Sequence, residues 1–105
     1  MNHEPEQNLD DDLVEDSMAA LAEARRRLAQ VPAQVVVANH AMGLFELAAI
    51  HLSSEPPNLA DSSLAIDALA CLVEGLRERL GDDAGALVDA LANIRLAFVE
   101  VSGRS

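Results

Sequence analysis

The stretch from Val31 to Leu52, VPAQVVVANHAMGLFELAAIHL, constrains the fold more than any other part of the chain. It is the longest apolar block, and it opens on Pro32, a residue that suits the first turn of a helix and few places inside one. Wound at about 100° per residue, the block gathers Val35, Val37, Ala38, Ala41, Met42, Leu44, Phe45, Ala48, Ala49 and Leu52 into an arc about half the circumference wide. Asn39, His40, Gly43, Glu46 and His51 fall on the other side, mixed with Val36, Leu47 and Ile50. A helix this apolar needs neighbours on several sides. It is expected to be the central helix of a small all-α bundle.

The block also has the length of a membrane span, but Gln34, Asn39, His40, Glu46 and His51 would each be costly in hydrocarbon. No membrane association is expected. Composition agrees with a helical bundle: half of the 105 residues are hydrophobic, only Phe45 and Phe98 are aromatic, and 19 are alanine. Alanine is the best helix former, and it lets helices approach closely while burying little area per residue. Such a bundle is expected to use a second copy to cover its remaining apolar surface.

The other elements follow in chain order. Residues 1–9 are polar and acidic and are expected to be a disordered leader. A first helix is predicted over about 10–30, with a seam of Val14, Met18, Leu21, Ala24 or Arg25, Leu28 and Val31. Acids crowd its first turns and Arg25, Arg26 and Arg27 its end, which suits the helix dipole. Pro32 separates it from a second helix over 32–52. The loop Ser53-Ser54-Glu55-Pro56-Pro57-Asn58 follows, with Asn58 or Asp61 capping a third helix over 59–80. There Ile66, Leu69, Leu72, Val73, Leu76 and Leu80 share one face, and Asp67, Cys71, Glu74 and Glu78 the other. Gly81 is expected to end it. A fourth helix over 83–101 carries the seam Leu87, Leu91, Ile94, Phe98, Val101, with Gly103 as its stop. One bundle domain of about four helices is therefore predicted over 10–105.

The charge is −11, and seven of the 18 acids lie in the first 16 residues, which hold no base. A nucleic-acid surface selects clustered bases with interleaved aromatics, and the single Arg25-Arg26-Arg27 run, in acidic surroundings, does not supply one. Cys71 is the only cysteine, so no internal disulfide forms, and a reducing cytoplasm is expected. Acids stand where a secretory signal has bases.

Candidates for chemistry are few. His40 and His51 are about three turns apart on one helix, roughly 16 Å by helical rise, too far to share a metal. Cys71 sits between Asp67 and Glu74, whose charge disfavours a thiolate. The carboxylates cluster on solvent faces, and no phosphate loop, triad order or cofactor fingerprint is present. No catalytic residue, metal or cofactor is assigned, and no enzymatic activity is expected. The residues of most interest are Asn39, His40, Glu46, His51 and Arg95, a candidate interaction or ligand surface. Arg95, beside the seam of the fourth helix, is expected to be partly buried and paired with Glu46 or Asp67. On that reading its removal lowers the melting temperature clearly.

Three segments carry a resemblance: VPAQVVVANHAMGLFELAAIHL, PPNLADSSLAIDALACLVEGL and ALANIRLAFVEV. They resemble domain-of-unknown-function family 1844, small proteins of actinobacteria and other bacteria, over residues 29–101. The resemblance implies a small cytoplasmic helical protein and brings no activity or catalytic residue with it. The expectation for function is a non-enzymatic protein–protein interaction module that forms a homodimer. Its small-residue faces, Ala38/Ala41/Ala48 and Ala68/Gly75, are the expected contact. The competing class is a small-ligand or metal-binding helical protein using the five residues named above.

Overall fold

A computed structural model describes residues 4–104, with side chains described from Asp10 onward. Every element is helical, and no strand occurs among the described residues. The helices are α1 (Glu4–Gln30), α2 (Ala33–Ser53), α3 (Leu59–Leu76) and α4 (Ala84–Arg104), with a 3-10 segment (Arg77–Asp83) between α3 and α4. The chain divides at Pro32 into two compact units. The first is α1. The second, from Ala33 onward, holds α2, α3, the 3-10 segment and α4.

This corrects the expectation of one four-helix bundle: the packed bundle has three helices, and α1 is a unit of its own. The start of the expected leader, residues 1–3, lies outside the described residues, and residues 4–9 belong to α1 instead of preceding it. α1 ends where proline chemistry says it must. Pro32 has no N–H to donate and disfavours helical geometry at Val31. The Val31 amide closes the last turn tightly onto the Leu28 carbonyl at 3.2 Å.

The core of the second unit is built from the faces the periodicity assigned. Ala38, Ala41, Ala48 and Leu52 enter from α2, and Ala65, Ile66, Leu69, Ala70 and Val73 from α3. Leu80 comes from the 3-10 segment, and Leu87, Leu91 and Ile94 from α4. Five of these thirteen are alanine, so the helices pack closely and each contact buries little area. α2 is the hub, packing on α3, the 3-10 segment and α4; Leu47 and Ile50 stay exposed on its far side, and Val35, expected in the apolar arc, is exposed as well because it lies at the arc's edge in the first turn. It is the one helix among the described residues long and apolar enough to cross a membrane; here its alanine stripe is core.

Asn58, not Asp61, caps α3. Its Oδ1 accepts from the Asp61 amide at 3.1 Å while its Nδ2 donates to the Asp61 carboxylate at 2.8 Å. The Asn58 amide also reaches back to the His51 carbonyl at 2.9 Å, closing the loop onto the end of α2. The Glu55–Pro56 peptide within that loop is cis.

Two predicted boundaries move. α3 stops at Leu76, four residues short of Leu80, because Arg77 takes φ 50° and ψ −125°. The break follows Gly75, a weak helix former, and the tighter 3-10 winding that follows still buries Leu80. Gly81 is the second hinge, at φ 80°. At the other end α4 continues through Gly103 to Arg104, whose Nε donates to the Glu100 carbonyl at 3.4 Å. A basic group on the last carbonyls supports the final turn, and Gly103 does not stop the helix.

Candidate functional site

The five residues singled out from sequence do not form a site. Asn39, His40 and Glu46 are exposed on α2, and His51 is half-buried near its end. The His40 ring donates from Nδ1 to the Val36 carbonyl at 2.8 Å, which holds it against its own helix. His51 lines a groove of about 320 Å³ between α2 and α3, with Leu44, Leu47, Asp61 and Leu64. Arg95 lines another groove, between α3 and α4. Among the described residues no three of His, Cys, Asp and Glu lie close enough to hold a metal ion.

Arg95 pairs with neither Glu46 nor Asp67. Its Nη1 donates to Glu74 at 3.4 Å, and both side chains are about half exposed. The reason is register: α4 packs on α3 with Leu91 and Ile94 inward, which leaves Arg95 at the edge of the contact beside Glu74. Asp67 lies two helical turns away along α3 and Glu46 is exposed on α2. The α3–α4 groove itself, about 610 Å³ in volume, has an apolar floor of Val73 and Leu91 and a charged rim of Glu74, Arg77, Glu78 and Arg95. The seams alone did not disclose this groove, because the break at Arg77 opens one of its ends.

The alanine face proposed for dimer contact is not available. Ala41 and Ala48 are fully buried and Ala38 nearly so, all within the core of the second unit. Ala68 is half-buried, and Gly75 is exposed. What is exposed is larger. On the second unit Ile50 and Leu64 are 62% and 70% exposed, beside Leu47 at the α2–α3 groove.

The seam of α1 is exposed along its whole described length. Leu13, Val14, Met18, Leu21 and Leu28 are each more than half exposed. Their spacing places Val14, Met18, Leu21 and Leu28 on one stripe, with Arg25 in the middle of it and Asp11 beside its start. Charge along the helix is largely segregated by sign: Asp10, Asp11, Asp12, Glu15 and Asp16 precede the seam's midpoint, and the three arginines follow it together with Glu23. Glu23 pairs with Arg26 at 2.6 Å and with Arg27 at 3.4 Å. Among the described residues Arg25 and the five leading acids have no ion-pair partner.

Compared with family models, curated proteins and solved structures, the chain matches none.

Proposed function

We propose that the protein is a non-enzymatic helical interaction module that self-associates, with the apolar seam of α1 as its interaction surface. The observation that carries this reading is that seam: four large apolar side chains, Val14, Met18, Leu21 and Leu28, on one stripe of one helix, each more than half exposed. Leaving them in water forgoes about 25 cal/mol for every Å² that a partner could cover. Contiguous apolar stripes of this kind mark association surfaces more often than scattered single residues do.

The reading places the protein in the cytoplasm, where the exposed thiol of Cys71 stays reduced. Its acidic surface suits protein partners and repels nucleic acid and anionic membranes. The small-ligand alternative draws less support, since the residues nominated for it sit apart. Light scattering on the full chain across the micromolar range tests the proposal. A mass of two chains is expected; a single-chain mass throughout overturns it.

A further inference from the structure

We propose that α1 pairs antiparallel with the α1 of a second copy, Met18 of each packing against Leu21 of the other, and Arg25 of each seated between Asp11 and Glu15 of the other. This rests on the reading that the α1 seam is the interaction surface, and it adds which partner the seam takes and in which direction.

The argument is charge order. Along the seam the acids come first and the arginines last, with the midpoint between them falling at Met18 and Leu21. Turning a second copy end for end about that midpoint brings each arginine cluster alongside the other copy's acids. In the same operation Met18 faces Leu21, Leu28 faces Asp11, and the stem of Arg25 lies over Val14. Its guanidinium then reaches Asp11 one turn further along and Glu15 at the flank. A parallel pair does the reverse, setting Arg25 against Arg25 and Asp11 against Asp11 at the seam, where like charges repel most. The steps of four and three from Val14 to Leu28 are those of helices that cross at a shallow angle. Arg25 is the residue that decides direction. It is a long base in the middle of an apolar stripe, without a partner among the described residues, and its own helix offers no acid three or four residues away, where Leu21, Ala22, Leu28 and Ala29 stand. An arginine there stacks its apolar stem on the neighbouring helix and presents a fork for two carboxylates.

The contact is isologous, so it closes as a dimer and does not propagate. Because the arginine–carboxylate clusters lie at its edges, association weakens as salt is raised.

The test uses two full-length variants, R25E/R26E/R27E and D11R/D12R/E15R, in sedimentation velocity, with circular dichroism as the check that helix content is kept. The unaltered chain is expected to dimerise. Each variant alone is expected to associate at least tenfold more weakly, and an equal mixture of the two to recover a dimer containing one of each. A dimer that survives both inversions unchanged, or a mixture that stays monomeric, overturns the antiparallel pairing and leaves self-association standing. An unaltered chain that stays monomeric overturns both. Direction is read independently by disulfide trapping in a Cys71→Ser background. Met18→Cys mixed with Leu21→Cys is expected to cross-link faster than either alone, and the opposite order overturns the proposal.

Discussion

The hydroxyl of Ser62 donates to the Ala48 carbonyl across the α2–α3 contact at 3.0 Å, and both residues are fully buried. Serine here does two jobs: it is small enough for the two backbones to meet, and its one polar atom is satisfied. Among the described residues no buried side-chain polar atom lacks a partner. The Ala48 carbonyl also belongs to the hydrogen-bond ladder of α2, so removing the hydroxyl orphans nothing. Ser62→Ala is expected to cost about 0.5–1.5 kcal/mol, the net worth of one hydrogen bond. Ser62→Leu forces the helices apart and is expected to cost clearly more, typically 1–3 kcal/mol beyond it. Urea denaturation of the three chains gives the order; a Leu variant as stable as the Ala variant would show that the helices do not meet closely there.

Among the described residues Arg77 and Gly81 are the two positions of positive φ, and they invite opposite substitutions. Arg77 holds φ 50° and ψ −125°, geometry that only glycine adopts without strain. Arg77→Gly is therefore expected to stabilise the fold by about 1 kcal/mol, less the flexibility it adds to the unfolded chain. Gly81→Ala is expected to destabilise by at least about 1 kcal/mol, chiefly because of its φ of 80°. The added Cβ would also meet Gln34 Cδ at 2.9 Å, but that is the end of a flexible side chain and can move. Combining Gly81→Ala with Gln34→Ala should thus recover little of the loss. Recovery of most of it, in thermal melts, would locate the cost in the contact and not in the backbone.

Arg95 was expected to be a stabilising, partly buried ion pair. Its pair with Glu74 is half exposed, where such bonds contribute about 0–1 kcal/mol. Arg95→Ala and Glu74→Ala are each expected to shift the melting temperature by no more than a few degrees. Leu69→Ala, in the centre of the core, is expected to cost about 2–5 kcal/mol. A loss for Arg95→Ala as large as that for Leu69→Ala would mean the arginine does more than the pair with Glu74.

Asn58 gives the sharpest local test. Asn58→Ala removes the acceptor for the Asp61 amide and is expected to cost about 1 kcal/mol. Aspartate is in general as good a cap as asparagine, yet Asn58→Asp is expected to restore only part of the loss at neutral pH. The reason is that Nδ2 of Asn58 donates to the Asp61 carboxylate at 2.8 Å, and an aspartate would set two negative charges together instead. Full stability for Asn58→Asp in urea at neutral pH would show that the side-chain bond to Asp61 counts for nothing.

Much of this was legible in the one-dimensional pattern. The inward residues of α3 and α4, from Ile66 to Val73 and from Leu87 to Ile94, follow directly from steps of three and four, and the solvent face of Asp67, Cys71, Glu74 and Glu78 is exposed as expected. The loop at Pro56-Pro57 announced itself by residue type, and the cap of α3 was narrowed to Asn58 or Asp61, of which Asn58 serves. The partner of Arg95 did not, because an ion pair across two helices depends on how one slides along the other, and periodicity carries no information about that offset. The role of the alanine stripe on α2 was misjudged for a similar reason. Small residues suit a tight contact, and nothing local distinguishes a contact within the chain from one between copies.

Where the helices run and which side of each is apolar were written locally, since propensity, capping and proline are properties of residues and their near neighbours. Folding in three dimensions settled that three helices make the core while α1 is a unit of its own, that α3 breaks at Arg77 with Leu80 still buried beyond the break, and that the α2 alanines belong to that core. Those outcomes depend on which apolar faces meet, a competition among surfaces far apart in the chain, and burial is a property of the assembled pair of faces and not of either one.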